Sequence, residues 1–404
     1  MKTIDFVRDN APFLAAGFLQ TFASAFGQTF FISLFAGEIR ETFALSHAAW
    51  GGIYAGATLC SAVVMVWAGG LTDAFRVRRL GVLVIFGMAL ACLTMALSPN
   101  IAVLAIAIFL LRLMGQGMMS HLSAVAMARW FVATRGKALS IAGLGFSVAE
   151  ASLPVAIVLL LAWLDWHVVW FVAAGFALVL LPILLRLLRL ERTPQSMGES
   201  HQSTGLESRH WTRNEVLRHR LFWFLIPILL GPSAFNTAFF FQQVHFVEVK
   251  GWSHLQLVSL FPIYTLIGIG AMMASGFVID RFGATRSLPF YQLPMAVAFV
   301  IFATATTPVG AMVGLFFLAL GTGANSTLPS AFWAETYGTA HLGRIRAMAT
   351  AVMVLGSAIG PGMTGALISA GVGIESQYIG VGGYFVLACC LAWVGIRQVS
   401  TTAP

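Results

Sequence analysis

The sequence has little charge: only 9% of its 404 residues are Asp, Glu, Lys or Arg, whereas 59% are hydrophobic. A water-soluble chain of this length cannot bury so much apolar surface, and its own surface would need far more polar side chains. The composition therefore excludes a soluble protein and predicts an integral membrane protein. The 33 Phe, 11 Trp and 40 Gly suit lipid-facing helices that pack closely together.

Cysteine is also scarce, and the motifs of common enzymes are missing. Cys60, Cys92, Cys389 and Cys390 lie inside apolar stretches and have neither the spacing of a zinc site nor that of a disulfide framework. The sequence has no Ser/His/Asp order, no metal-spaced histidine cluster and no nucleotide-binding loop. We therefore expect free thiols, no metal, no cofactor and no enzymatic activity.

Apolar runs long enough to cross a bilayer as helices, which takes about 20 residues each, fill most of the chain. The first six predicted spans cover about 11–36, 49–71, 80–98, 101–127, 138–163 and 168–187. The next six cover about 221–247, 256–279, 288–306, 309–333, 346–370 and 378–396. Because an unclosed β-sheet cannot satisfy its backbone in lipid, we predict an all-α membrane protein with 12 transmembrane helices in two pseudo-symmetric six-helix bundles.

A polar stretch separates the two groups of spans and cannot lie in hydrocarbon. We predict an N-terminal bundle over residues 1–188, a cytoplasmic linker over 189–220, and a C-terminal bundle over 221–404. Within the linker, Thr212 and Glu215 have the spacing of a capping box, which predicts a short surface helix.

The positions of Lys and Arg predict the orientation in the membrane. If the N-terminus is inside, all 23 of these residues except Arg40, Lys250 and Arg112 fall in cytoplasmic loops, the linker or the termini. The positive-inside rule then places both termini in the cytoplasm, and the net charge of +8 reflects this topology rather than nucleic-acid binding. Residues 1–10 lack the pattern of a cleaved signal peptide. We expect a monomer that crosses the lipid bilayer of a bacterial inner membrane.

The two halves carry an internal repeat. The segment Gly69–Asp73, after the second span, begins with Gly and ends with Asp. Both residues recur in Gly276–Asp280 after the eighth span, with an offset of 207 residues. The glycine pair of Gly115–Gly117 in the fourth span recurs in Gly321–Gly323 of the tenth, with an offset of 206. Chance rarely keeps such register over four spans, so the repeat predicts two related bundles.

These motifs resemble those of the major facilitator superfamily, and the resemblance covers the whole chain. The segment Gly69–Asp73 and the basic residues after it are similar to that family's loop between helices 2 and 3, and Arg112-x-x-Gly115-x-Gly117 is similar to its helix 4 motif. Ala74 and Arg76 depart from the family's pattern, whereas the second copy follows it more closely. The resemblance implies a secondary transporter that works by alternating access.

A gate is predicted at the cytoplasmic ends of the second and eighth spans. Asp73 and Asp280 end these spans, where a carboxylate can bind a neighbouring helix N-terminus or an Arg in one conformation and release it in another. Arg76 and Arg281 follow closely and complete the predicted gate. The alternative is that these four residues are ordinary interfacial charges.

Arg112 and Glu150 are the charges predicted to lie deep in the membrane. At 1.5 Å per residue, Arg112 is about 16 Å from the start of the fourth span and Glu150 about 18 Å into the fifth. Because burying a charge there is costly, each is a functional candidate. We predict that Arg112 binds an anionic substrate and Glu150 a proton, with a direct or water-bridged contact between them. The alternative is a static ion pair that only orients two helices.

Uncharged polar side chains recur at helical spacing on four spans. The candidate substrate-binding residues are Gln20 and Gln28 on the first span, Gln116 on the fourth, Asn236 and Gln243 on the seventh, and Asn325 on the tenth. The resemblance implies that these four helices line a central cavity. Each side chain, taken alone, can instead be a hydrogen bond between helices.

The predicted function is secondary active transport of a small organic anion of the monocarboxylate type, coupled to protons. Moving a lone anion into the cell against a membrane potential of about 100 mV costs roughly 2.3 kcal/mol, and a co-transported proton removes this cost. The segment 130–145, around the start of the fifth span, loosely resembles the monocarboxylate-porter branch. The alternative is a proton-driven exporter of amphipathic compounds or drugs, although the fifth span lacks the Gly-Pro run typical of drug antiporters.

Overall fold

The computed structural model describes residues 3–69, 71–131, 135–189, 204–338 and 341–402. These residues form helices and contain no strand, so the predicted all-α fold is confirmed. Eleven helices are long and apolar enough to cross a membrane, and a bent pair at the N-terminal end makes a twelfth span.

The spans are labelled α1 to α12 in chain order. In the first half they are α1 (Asp5–Gly27 and Thr29–Thr42), α2 (His47–Met65), α3 (Val77–Ala96), α4 (Ile101–Met127), α5 (Ala138–Leu161) and α6 (Trp166–Leu187). In the second half they are α7 (Arg220–Phe241), α8 (His254–Phe282), α9 (Ala284–Thr304), α10 (Pro308–Tyr337), α11 (Met348–Ser369) and α12 (Ile374–Gln398). Short helices lie outside the spans at Leu71–Ala74, Arg213–Arg218 and Gln243–Lys250.

Capping residues mark where several spans begin. The Asn100 side chain accepts a hydrogen bond from the Val103 amide at the start of α4, and Asp165 does the same for His167 at the start of α6. Such caps satisfy amide groups that have no partner within the helix. Local sequence therefore sets the first turn of these helices.

Contacts divide the chain into two compact units. The first unit contains Met1–Leu45 and Ile53–Ser200, and the second contains Ser46–Gly52 and His201–Pro404. The first turns of α2 therefore belong to the second unit. There, Trp50 stacks on Phe241 with 5.4 Å between the ring centroids.

Equivalent helix pairs pack in the same way within each unit. In the first unit α1 packs on α5, and a Cβ atom on Gly145 would lie only 2.1 Å from the Phe18 carbonyl oxygen. In the second unit α7 packs on α11, and a Cβ on Gly360 would lie 2.1 Å from the Ala234 oxygen. Glycine thus permits backbone contact at matching places, as expected of pseudo-symmetric bundles.

The repeated glycine pairs also occupy matching contacts. A Cβ on Gly117 would meet the Met65 side chain of α2, and one on Gly323 would meet the backbone of α8 at Gly268. The fourth helix of each unit therefore packs closely against the second helix of the same unit, which accounts for the offset of 206 residues in the sequence.

The described part of the linker is docked on the second unit. Thr212 and Glu215 form the predicted capping box, and the helix Arg213–Arg218 follows it. The Trp211 amide donates a hydrogen bond to the Tyr337 carbonyl (3.1 Å), and the Trp211 and Tyr337 rings meet edge to face. The linker is thus anchored at the end of α10.

Helix α1 differs from the regular helix that the sequence predicted. Residues Ser24–Gly27 form a 3-10 turn, Gln28 is extended (φ −87°, ψ 154°), and the two halves of α1 are bent by 47°. Gln20 and Gln28 are therefore not on one continuous helical face, and that part of the polar-stripe prediction is wrong. Gly27, immediately before the break, removes the steric obstacle to close approach by α4.

Candidate functional site

Arg112 lies in the first unit where α4 changes its hydrogen-bond pattern. Residues Arg112–Met119 form a π-helix inside α4, a form that is rare and is often found at functional sites. Only 1% of the Arg112 surface is exposed. The sequence placed this arginine deep in a membrane helix, and the structure places it in the protein interior.

The guanidinium group binds the break in α1. Its Nη1 atom donates hydrogen bonds to the Gly27 carbonyl oxygen at 3.0 Å and to the Thr29 hydroxyl at 3.4 Å. Gly27 ends the first half of α1, where carbonyl groups lack helical partners and carry partial negative charge. Arg112 therefore compensates for the break with a charge of the favourable sign.

Two glycines make this contact possible. A Cβ atom on Gly27 would lie 2.0 Å from the Leu111 carbonyl oxygen, and one on Gly115 would lie 2.7 Å from the Gly27 Cα. The backbones of α1 and α4 are in direct contact here, because any larger residue would force them apart. This close contact explains why the predicted helix 4 motif has a glycine at position 115.

Tyr54 of α2 completes the surroundings of the guanidinium group. The Arg112 Cζ atom lies 5.4 Å from the centroid of the Tyr54 ring, within range of a cation–π interaction. The Tyr54 hydroxyl is hydrogen-bonded to the Thr29 hydroxyl at 2.6 Å. Three helices therefore hold the arginine in one orientation.

One edge of the guanidinium group has no hydrogen-bond partner among the described residues. The Arg112 Nε and Nη2 atoms are buried, and neither is hydrogen-bonded within the part of the chain that the structure describes. Leaving buried donors of a charged group unsatisfied is costly. These two N–H groups point along one side of the planar group, which matches the two oxygens of a carboxylate.

Glu150 lies on α5 of the same unit and is half buried. Since Nη1 binds Gly27 and Thr29 and the other two nitrogens have no described partner, the Glu150 carboxylate does not hydrogen-bond to Arg112. The direct contact that the sequence allowed is thus absent among the described residues. The two groups remain on neighbouring helices of one unit.

The uncharged candidates of the first unit are not gathered around Arg112. Gln20 is buried where α1 packs against α3, α4 and α6, beside a void of about 10 Å³, and its Oε1 atom has no described hydrogen-bond partner. Gln28 lies at the break itself, and Gln116 is half buried in the π-helix. Of these three, Gln28 and Gln116 share the elements that position Arg112.

In the second unit, Asn236 is the last residue of a second π-helix, Pro232–Asn236 in α7. Its Nδ2 atom donates to the Thr322 hydroxyl of α10 at 3.3 Å, and the Tyr264 hydroxyl of α8 donates to the same oxygen at 3.4 Å. The Asn236 Oδ1 atom is buried and has no described partner. This cluster is neutral.

The other two candidates of the second unit have partners from neighbouring elements. Asn325 accepts a hydrogen bond from the Tyr291 hydroxyl at 2.9 Å, and Tyr291 in turn contacts Gln292. Gln243 is fully buried and its Oε1 atom lies 3.3 Å from His254 Nε2. Among the hydrogen bonds described, Asn236 pairs with Thr322, Asn325 with Tyr291, and Gln243 with His254.

Sequence reasoning missed the tyrosines. Tyr54, Tyr264 and Tyr291 are among only six in a chain with 33 Phe, and each uses its hydroxyl in a polar cluster. A buried tyrosine usually has a hydrogen-bond partner, so the scarcity of this residue beside abundant Phe was the available signal.

The predicted gate residues lie at helix ends. Asp280 and Arg281 are exposed at the end of α8, and Arg76 is exposed before α3. The Asp73 side chain lies outside the described residues. The Glu335 carboxylate caps a neighbouring helix by accepting from the Ala284 amide at 2.7 Å, whereas no such contact is described for Asp280.

Comparisons with known proteins agree with this architecture. The family model described as Major Facilitator Superfamily matches residues 17–361. The structure of a bacterial homologue of the human lysosomal transporter Spinster is similar, with a TM-score of 0.73 and 14% identity over 97% of this chain and 98% of that one. The nucleoside transporter NupG is also similar, with a TM-score of 0.73 and 13% identity over 98% and 99%. None of the curated proteins compared with the sequence matches it.

The similar structures share the fold at low sequence identity, whereas the family model matches most of the sequence itself. It includes both loop motifs and the Arg112 segment. With twelve spans in two pseudo-symmetric bundles, the chain belongs to the major facilitator superfamily and is a secondary transporter, not an enzyme.

Proposed function

We propose that this transporter moves a small organic anion, of the monocarboxylate type, by alternating access and together with a proton. The observation that carries the proposal is the buried Arg112, whose Nε and Nη2 atoms have no described hydrogen-bond partner. A fixed charge with an open, planar pair of donors favours an anion over a neutral or cationic substrate. A carboxylate bound there satisfies both donors and neutralises the charge.

The geometry supports binding by Arg112 rather than a purely structural role. Nη1 alone holds the group against Gly27 and Thr29, and Tyr54 covers its face, so the Nε and Nη2 edge is oriented before a substrate arrives. Preorganised donors bind more tightly because little side-chain freedom is lost on binding. A residue that served only to fix α4 on α1 would not require an arginine with two unused donors.

Proton coupling is assigned to Glu150. It lies on the helix after α4, within the same unit, and its carboxylate does not compete for the open edge of Arg112. If Glu150 is protonated with each bound monoanion, the transported complex is electrically neutral. This removes the cost of roughly 2.3 kcal/mol for moving a lone anion against a membrane potential of about 100 mV.

The remaining candidate residues keep their proposed roles. Gln28, Gln116, Asn236, Gln243 and Asn325 are candidate contacts for uncharged parts of the substrate. Gln20 is the weakest substrate-binding candidate, because it is buried where α1 packs against α3, α4 and α6. Asp73, Arg76, Asp280 and Arg281 are proposed as gate residues, and Glu335 joins them because it caps the start of α9.

The orientation in a bacterial inner membrane, with both termini and the linker in the cytoplasm, is likewise proposed. Labelling of a single cysteine tests it in a background that lacks the four native cysteines. Asn214 is a suitable position because it is exposed, whereas a side chain at Gly205 would lie 2.5 Å from the backbone of Gly338. Labelling of N214C by a membrane-impermeant reagent in intact cells would contradict the proposed orientation.

Ligand binding to the detergent-purified protein tests the substrate class. Acetate, lactate, pyruvate and benzoate are compared with the corresponding amides, with nucleosides and with cationic dyes, and the melting temperature is measured for each. We expect stabilisation by one or more carboxylates and none by the matched amides, because only the charged group satisfies Arg112. Stabilisation by dyes alone would favour the exporter, and stabilisation by nucleosides alone would contradict an anionic substrate.

A further inference from the structure

A basic cleft lies in the first unit, away from Arg112, where α3 begins and α6 ends. Its volume is about 540 Å³, within the range of small-molecule sites, which is roughly 300–1,000 Å³. The cleft is lined by Arg76, Arg78, Arg79, Val82, Leu185, Leu188 and Arg189. It therefore combines four guanidinium groups with an apolar wall.

The positive charges of this cleft are not balanced by the described part of the chain. None of the four arginines forms an ion pair with a carboxylate there. The side chains of Asp73 and Glu191, the nearest acids along the sequence, are not among those described. Like charges held in one cleft repel each other, and an anion between them relieves that repulsion.

The apolar wall continues from the cleft along α3 into the membrane. Leu83, Phe86 and Leu90 follow Arg79 by four, seven and eleven residues, so they lie on the face of α3 that carries this arginine. They are 61%, 61% and 56% exposed, respectively. A face with this composition at membrane depth contacts lipid chains.

Helix α6 has a similar surface on its side of the cleft. Leu178 and Leu181 precede Leu185 by seven and four residues and so lie on its face of the helix; Leu178 is 40% exposed and Leu181 is half buried. The cleft therefore has charge at its mouth and exposed apolar side chains on both helices beyond it. A ligand that fits this arrangement has an anionic head and apolar chains.

We propose that this cleft binds the headgroup of an anionic phospholipid from the surrounding leaflet. The arginines hold the phosphodiester through charge-assisted hydrogen bonds, for which their planar donor groups are suited. The acyl chains lie against the exposed faces of α3 and α6. The Lys and Arg count assigns this side of the membrane to the cytoplasm, and basic pockets between transmembrane helices on that side are suited to such headgroups.

Native mass spectrometry of the full-length protein in detergent tests the proposal. Phosphatidylglycerol, cardiolipin and phosphatidylcholine are titrated separately, and the fraction of lipid-bound protein is measured. The test variant is R78Q/R79Q/R189Q, which leaves the gate candidate Arg76 in place. The matched control is R213Q/R218Q/R220Q, which removes the same charge from exposed positions of the linker and its junction with α7.

We expect both anionic lipids to bind the wild-type protein more tightly than phosphatidylcholine does. The test variant should lose roughly a hundredfold in affinity for phosphatidylglycerol, because three basic contacts are removed. The control variant should bind like the wild type. A third variant, R78K/R79K/R189K, keeps the charge and should retain most of the binding, which separates loss of the site from loss of the fold.

Four results would overturn the proposal. Equal affinity for phosphatidylcholine would mean that charge does not select the lipid, and equal weakening in the test and control variants would mean that the attraction is non-specific. Displacement of phosphatidylglycerol by millimolar inorganic phosphate would identify the site as one for free phosphate. If the test variant has a lowered melting temperature and its lysine counterpart also fails to bind, the cleft is a structural feature and not a lipid site.

Discussion

The two units build their polar clusters from different chemistry, although they share a fold. In the first unit the cluster is centred on a full charge, Arg112, and one edge of its guanidinium group has no described partner. In the second unit Asn236 and Thr322 form a neutral cluster in which most groups are paired. Two related bundles have thus kept their packing and diverged in electrostatics.

The difference also shows how each unit accommodates an irregular helix. Both clusters lie at π-helical segments, in α4 and in α7. In the first unit the arginine caps a broken α1, whereas in the second the π-helix packs against the glycines of α11 without a charge. We infer that charge recognition belongs to the first unit and that the second supplies neutral contacts.

The largest expected effect comes from removing the charge that distinguishes the units. Arg112→Ala should weaken carboxylate binding by roughly 100-fold or more, because both donors of the open edge are lost. Arg112→Lys should retain part of the affinity, since it keeps the charge without the planar fork. Isothermal titration calorimetry on the purified variants measures both.

The matched change in the second unit is Thr322→Val, which removes a hydroxyl from the neutral cluster. We expect it to cost about 0.5–1.5 kcal/mol in binding or stability, as for one ordinary hydrogen bond. If Thr322→Val weakens carboxylate binding as much as Arg112→Ala does, the assignment of charge recognition to the first unit is wrong.

The next prediction separates the proton from the anion within the first unit. Glu150→Gln mimics the protonated carboxyl group, so the variant should bind and exchange substrate across liposomes but should not concentrate it when a pH gradient is imposed. Counterflow and gradient-driven uptake in the same proteoliposomes measure the two activities.

Full pH-driven accumulation by Glu150→Gln would reject the proton role. The Arg112→Ala/Glu150→Gln double variant provides a further control. Because the structure shows no hydrogen bond between these residues, their effects on melting temperature should add. Mutual rescue would instead indicate a static ion pair.

A smaller effect is expected from the steric basis of the charged cluster. Gly27→Ala places a methyl group where Leu111 O would be 2.0 Å away, so α1 and α4 must separate. We expect a loss of roughly 1–3 kcal/mol in stability, typical of overpacking, and weaker carboxylate binding. The matched control is Gly56→Ala on α2, whose new methyl group would have no neighbour within 4 Å. Melting temperatures that fall equally in both variants would contradict the proposed contact.

The smallest effect concerns a feature of the second unit, the docked linker. The His219 ring lies 2.9 Å from the Tyr337 hydroxyl and packs beside Trp211, and burial lowers the pKa of His219 below its usual value of 6.5. The docked state therefore favours neutral histidine. The contribution of His219 to the stability of the docked linker is fully present above pH 6.5 and is lost as the pH falls through the lowered pKa of this histidine.

Hydrogen exchange of the linker, corrected for intrinsic rates, measures this dependence. Protection of the backbone around Trp211 should decrease as the pH is lowered below about 6.5. His219→Gln should remove most of the pH dependence while the linker stays docked at neutral pH. An unchanged pH profile in that variant would exclude His219 as the responsible group.

Local patterns in the sequence were enough to predict the class, the number of spans and several details of the fold. Hydrophobic runs predicted the helices, the capping box at Thr212 and Glu215 predicted the short linker helix, and the repeat predicted related bundles. The depth estimate for Arg112 pointed to a buried position, which the structure has. Each of these depends on residues near one another in the chain or on a repeated motif.

The chemistry of the candidate site depended on tertiary structure. The sequence near Gln28 does not predict the bend in α1, because it contains no proline. The bend lies where the backbone of α4 contacts α1 at Gly115. Arg112 binds the carbonyl oxygen of Gly27, 85 positions earlier. Every residue has a carbonyl oxygen, so the pattern of side chains could not predict this partner. The sequence alone determined a membrane transporter with a buried arginine. Only the packing of distant backbones decided which edge of that arginine has no described partner, because the broken helix binds the other.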